Sequence, residues 1–183
     1  MVIRPKLYRS NEFLALESLP ENAGRILELV NGEIVEKLPS FKPSKLTMRI
    51  GHFLLSFADD LGHVTGADGG YVMSETDVFN PDVGYISKKR LPVLPEREVP
   101  VPPDLAVEVK SPTDTKRALR LKVERYLAAG TRLVWLVFPE ERVVEVYTPS
   151  EDVHTVGIDG LLDGGDVLPG FTLKVKDIFA GLD

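Results

Sequence analysis

The stretch Asp104-Leu105-Ala106-Val107-Glu108-Val109-Lys110 narrows the fold of this chain more than any other. A strand repeats every two residues, which sets Leu105, Val107 and Val109 on one face and Asp104, Ala106, Glu108 and Lys110 on the other. The apolar face has to be buried in a layered core. The polar face either meets water, as in an ordinary half-exposed strand, or carries chemistry, and the pattern by itself leaves both open.

The surroundings of that strand are punctuated. Lys88–Pro103, just before it, holds five prolines, which remove backbone donors and forbid regular structure. Ser111-Pro112-Thr113-Asp114, just after it, reads as a helix start with Ser111 as cap, Pro112 at the first helical position and Asp114 at capping-box spacing. That helix is expected to run to about Ala129 and stop at Gly130, with strands at Leu133–Phe138 and Val143–Tyr147 and short strands and turns from Val153.

Upstream, a helix is expected from Asn11 to about Leu19, closed by Pro20 and Gly24. Two alternating runs, Arg25–Val30 and Glu33–Leu38, are joined by Asn31-Gly32, the pair suited to a type I′ turn with two positive φ values. From Ser44 to about Leu61 a helical stripe places Leu46, Ile50, Phe53, Leu54 and Phe57 together, and strand-like runs follow at His63–Ala67, Tyr71–Ser74 and Asp77–Ser87. This order predicts a mixed α/β layer protein with helices covering a sheet, and 183 residues suit one domain.

Composition excludes several chemistries. With no cysteine there are no disulfides, thiolate metal sites or cysteine nucleophiles, which fits a reducing cytoplasm. Apolar runs are too short to span a membrane as a helix, and the opening Met1–Lys6 has no apolar segment of the kind that marks a secretory signal. No phosphate-cradling glycine motif or Gly-x-Ser-x-Gly elbow is present. The net charge of −6 weighs against tight, non-specific attraction to nucleic acid, although carboxylates of a metal site would be part of that charge.

Along the polar face, Glu108 and Lys110 lie about 7 Å apart, a spacing at which a carboxylate can hold a divalent ion while an ammonium touches a phosphate beside it. Asp82, in Asn80-Pro81-Asp82-Val83, belongs to a run able to pair with that strand, and neighbouring strands about 4.8 Å apart would let Asp82 and Glu108 share one ion. Asp104 also follows a proline but lies about 13 Å from Glu108, too far to share it. His52, His63 and His154 have no metal-ligand spacing, and Trp135 reads as core. The run Lys88-Lys89-Arg90, and a helix carrying Lys116, Arg117, Arg120, Lys122 and Arg125, are either solvated or a grip on nucleic acid. The buried stripe of that helix is Leu119, Val123, Tyr126 and Leu127, and its positive end would favour a phosphate near Lys110.

Pro81-Asp82, twenty-six residues before Glu108-Val109-Lys110, resembles the PD-(D/E)XK nuclease signature. The wider string is more specific: Glu28-Leu29-Val30-Asn31-Gly32-Glu33, Pro81-Asp82-Val83, Pro103-Asp104-Leu105, Glu108-Val109-Lys110-Ser111-Pro112, Lys122 with Tyr126, Gly130 and Trp135. Together these resemble the bacterial family of putative restriction endonucleases in that superfamily, from about Glu12 to Phe179. The resemblance implies a restriction-endonuclease-like core over about 44–138, with a helix and hairpin extension over about 11–38 and C-terminal strands over 143–183. It implies Asp82, Glu108 and the backbone carbonyl of Val109 as ligands of Mg²⁺ or Mn²⁺, and Lys110 as the catalytic lysine. Glu28 and Glu33, flanking the hairpin turn, would be supporting acids. The expected activity is metal-dependent endonucleolytic hydrolysis of phosphodiesters, with DNA as substrate and a homodimer as the assembly. The alternative is the same fold used as a nucleic-acid or protein-binding module.

Overall fold

The computed structural model describes residues 6–150 and 152–182. Helix α1 (Ser10–Glu17) leads through a 3₁₀ turn into the hairpin β1 (Leu27–Val30) and β2 (Glu33–Glu36). Asn31 and Gly32 take φ values of 53° and 81°, as the expected turn requires. Helix α2 (Phe41–Ala58), β3 (Gly62–Thr65), β4 (Tyr71–Val72), β5 (Val78–Phe79), β6 (Val83–Ser87) and β7 (Leu105–Val109) follow. Then come α3 (Lys116–Ala129), β8 (Leu133–Phe138), β9 (Val143–Tyr147), β10 (His154–Val156), β11 (Leu161–Gly164), β12 (Leu168–Lys174) and α4 (Val175–Phe179).

A six-stranded sheet in the order β10-β9-β8-β7-β6-β3 forms the centre. Its one parallel pair is β7 with β8, and α3 makes the crossover that parallel strands need. Leu119, Val123 and Tyr126 of α3 pack on one face of the sheet with Ala106 and Leu136. On the other face, Leu46, Ile50 and Leu54 of α2 pack with Val107, Val109, Trp135 and Ile178. β7 is therefore covered on both faces, and all five of its residues are buried. The half-exposed alternative for this strand does not hold. Its alternation separates two cores, and Glu108, only 3% exposed, is inside one of them.

The run Asp77–Ser87, expected as one strand, is cut in two. β5 pairs with β1 and β4 in a four-stranded sheet ordered β2-β1-β5-β4, whereas β6 belongs to the central sheet. Asn80-Pro81-Asp82 is the hand-over, where proline lacks the donor that a continuous ladder would use. Asp82 thus stands at the junction of the two sheets.

Helix ends also shift. α2 starts at Phe41, with Pro43 tolerated in the first turn, and Ala58 takes the buried place expected of Phe57, which is 41% exposed. α3 starts at Lys116, capped by Thr115, whose hydroxyl accepts from the Ala118 N–H at 3.1 Å. Asp114 instead accepts from the Ser111 N–H at 2.8 Å, closing a separate turn, so the capping pattern is spent one turn early. Gly130, in the left-handed region at φ 107°, ends α3 as expected. The short helix α4 stands where the pattern from Val153 onward predicts only strands and turns.

Candidate active site

Antiparallel pairing of Val83 with Val107 brings Asp82 beside the C-terminal end of β7. Its Oδ2 accepts from the Val109 N–H at 2.7 Å, which locks the carboxylate to the strand that carries Glu108. Its Oδ1 accepts from the Lys37 ammonium at 2.8 Å. The same ammonium donates to the Asn80 carbonyl at 2.8 Å and lies 3.8 Å from Glu108 Oε2. One cationic group therefore contacts both carboxylates.

Glu108 points toward α3. Its Oε1 accepts from the Tyr126 hydroxyl at 2.7 Å and pairs with the Lys122 ammonium at 2.8 Å. Lys122 and Tyr126 are four residues apart, so one helix face presents both. Lys122 continues to Glu28 on β1, at 2.8 and 2.9 Å from its two oxygens, and Glu28 also accepts from the Asn80 N–H at 2.7 Å. A chain of alternating charge thus runs Asp82, Lys37, Glu108, Lys122, Glu28.

Burial works against the charge on Glu108, but Lys122 and Lys37 outweigh it and hold its pKa below the ordinary carboxylate value. Asp82 shifts the other way. Burial, with Glu108 as a like charge nearby, pushes it up against the single lysine it contacts. Burial opposes both ammonium groups as well, yet the facing carboxylates keep Lys37 and Lys122 above the ordinary lysine value and so charged.

Lys110 directly follows the end of β7. Its ammonium donates to the Ser111 carbonyl at 3.2 Å, and it pairs with neither Asp82 nor Glu108. The lysine beside Glu108 is Lys122, and the cation between the two acids is Lys37. Lys122 left a trace in the sequence as a charged residue on the stripe of Leu119, Val123 and Tyr126. Lys37 left none, because only tertiary packing carries the end of β2 to Asp82. Glu33 stays exposed and joins no ion pair among the described residues, unlike Glu28. Asp104 is tied elsewhere, accepting from the Ser87 N–H at 2.8 Å and from Arg90 and Arg132 at 2.9 and 3.0 Å. The basic side chains of α3 are largely neutralised within the chain: Lys116 pairs with Glu141, Arg120 with Glu145, Lys122 with Glu28 and Arg125 with Asp77. Because α3 begins at Lys116, its positive end does not directly follow Lys110.

Glu28, Lys37, Asp82, Glu108 and Val109 line a cleft of about 730 Å³ between the hairpin, the start of α2 and α3. No three His, Cys, Asp or Glu side chains converge as a ready metal cluster among the described residues. The Lys37 ammonium nevertheless meets oxygen atoms of Asp82, Asn80 and Glu108. Such a hard-oxygen environment is what a divalent ion such as Mg²⁺ or Mn²⁺ requires.

The crystal structure of a putative nuclease belonging to DUF820 from Anabaena variabilis ATCC 29413 superposes on this chain with a TM-score of 0.78 at 23% identity, covering 92% of this chain and 96% of that one. That similarity establishes the shared fold. No curated protein matches the chain. Residues 10–176 match the family Uma2, described as Putative restriction endonuclease. Since the match spans most of the sequence, the chain belongs to the Uma2 family.

Proposed function

We propose that this protein is a divalent-metal-dependent nuclease that hydrolyses phosphodiester bonds of DNA, with Asp82 and Glu108 as the carboxylate ligands of the ion. The observation that carries the reading is the Lys37 ammonium held between these two acids, which marks an oxygen-lined cation position at the edge of the cleft. Membership of the Uma2 family, described as Putative restriction endonuclease, supports the reaction class. A bound Mg²⁺ or Mn²⁺ supplies a water of lowered pKa and polarises a phosphoryl oxygen.

The chain's own residues prepare that position. The Val109 N–H orients Asp82, and its carbonyl remains the proposed further ligand. Tyr126 and Lys122 fix Glu108 Oε1, which leaves Oε2 facing the cation position. Lys122, by its place beside Glu108, takes the role of stabilising charge that develops on the phosphate, in preference to Lys110. Cutting both strands of a duplex calls for two such sites, so a homodimer belongs to this proposal.

Incubation of the purified protein with plasmid DNA and Mn²⁺ tests it. Nicking or linearisation is expected, with loss on chelation and in Asp82→Asn and Glu108→Gln. Absence of any cleavage dependent on Asp82 would favour a nuclease-fold binding module, a reading that the net charge of −6 and the internally paired α3 cations support.

A further inference from the structure

We infer that Lys37 is a resident counter-ion that holds Asp82 and Glu108 together in the metal-free protein and must leave for a divalent ion to enter. The inference rests on the reading of Asp82 and Glu108 as metal ligands.

Geometry gives the competition. The ammonium takes up the oxygens of Asp82, Asn80 and Glu108 that an ion bound by both acids would need. Two cations cannot share that space.

Charge gives the exchange a direction. Glu28, Asp82 and Glu108 are three carboxylates facing two ammonium groups, so the metal-free site keeps one negative charge. A divalent ion in place of Lys37 leaves none, and uncompensated buried charge is the costly state. Loss of Lys37 without an ion would instead leave Asp82 and Glu108 as like charges facing each other.

Of the two lysines, Lys37 is the one free to move. Its side chain is 23% exposed and lines the cleft, against 11% for Lys122. It follows the end of β2, an edge strand whose residues are all exposed, and Leu38 beside it is 65% exposed. Lys122 is pinned between Glu28 and Glu108, with the Phe79 ring 5.1 Å from its ammonium. Swinging out moves the Lys37 side chain into the solvent-facing cleft, while its backbone N–H stays on the Ile26 carbonyl.

The experiment is calorimetric titration of the full chain with Mn²⁺, comparing wild type with Lys37→Gln, Lys37→Met, Lys37→Arg and Asp82→Asn. If the open position is populated a tenth of the time or less, removing Lys37 tightens apparent binding about tenfold or more. Lys37→Gln and Lys37→Met should therefore bind Mn²⁺ at least that much tighter while melting lower without metal, and Lys37→Arg should stay near wild type. A merely structural lysine would lower stability without tightening metal binding. As a check needing no variant, acylation of wild-type Lys37, read by mass spectrometry, should rise on saturation with Mg²⁺. Should Lys37→Gln or Lys37→Met fail to fold, no such rise overturns the inference. Equal affinities in wild type and Lys37→Gln, with binding lost in Asp82→Asn, overturn it and leave the metal site standing. No Mn²⁺ binding to any form, or binding that survives Asp82→Asn, overturns both.

Discussion

Lys122 of α3 meets Glu108 of β7 at 2.8 Å, and the same ammonium reaches Glu28 of β1 at 2.8 and 2.9 Å. The contact joins three separate segments in one ion-pair chain. It also sets a second lysine beside Glu108, besides the Lys110 of the sequence motif. Lys122→Ala is expected to reduce DNA cleavage by roughly 100-fold or more, the size seen when a group stabilising transition-state charge is lost. It should also destabilise the fold by about 3 kcal/mol, because Glu28 and Glu108 lose a buried counter-charge. Lys110→Ala should change cleavage by less than about threefold, since no contact to the carboxylates is removed. Cleavage per folded molecule, corrected by circular dichroism, compares the two.

Asp82→Asn and Glu108→Gln should each abolish metal-dependent stabilisation as well as cutting. An ion at about 100 times its dissociation constant stabilises a native protein by about 2.7 kcal/mol, and chelation removes that increment. Melting scans with Mn²⁺ and with chelator check it. A rise in Tm that survives in Asp82→Asn would locate the ion elsewhere.

Asp104 should behave as a structural residue. Asp104→Ala leaves the Ser87 N–H without its acceptor and frees Arg90 and Arg132, costing about 1–3 kcal/mol. Mn²⁺ affinity of the folded fraction should be unchanged. Burial raises its pKa, but the Ser87 N–H, Arg90 and Arg132 more than offset this and hold it below the ordinary value. A depressed carboxyl contributes stability that is present above its unfolded pKa, about 3.9, and lost as pH falls through the folded value. The stability gap between wild type and Asp104→Ala, measured by denaturant titration, should therefore be full at pH 7 and shrink below about pH 4.

Glu17 gives the opposite pH dependence. Burial, reinforced by Glu98, pushes its pKa up to about 7, and its Oε2 is buried with no hydrogen-bond partner. A raised folded pKa means stability fully present below the unfolded value and lost as pH rises through about 7. Glu17→Gln should accordingly raise Tm at pH 8 and have little effect at pH 4.5. Thermal scans at the two values distinguish this from a pH-independent packing change.

Much of the architecture was legible along the chain because local physics carried it. Asn31-Gly32 admits positive φ cheaply, Gly130 ends α3, and the strands Leu133–Phe138 and Val143–Tyr147 appear with the expected bounds. The break at Asn80-Pro81-Asp82 was less legible. A proline in a strand-like run signals a defect but does not say that the two halves join different sheets. The cap of α3 was misplaced because Ser111-Asp114 and Thr115 offer competing starts of similar chemistry, and packing chose the later one.

By itself, the sequence determined the alternation of β7, the hairpin turn, the order of the main helices and strands and the nearness of Asp82 to Glu108. Each of these follows from backbone periodicity, turn stereochemistry or pairing of strands either side of one connection. Only the tertiary structure decided which cations meet those acids. Lys37 comes from 45 residues before Asp82, and Lys122 lies 94 residues after Glu28. No local propensity encodes such distances along the chain. Burial of Glu108 between β7 and α3 made its charge costly, and the fold satisfies it with the lysines and tyrosine that packing brings within reach.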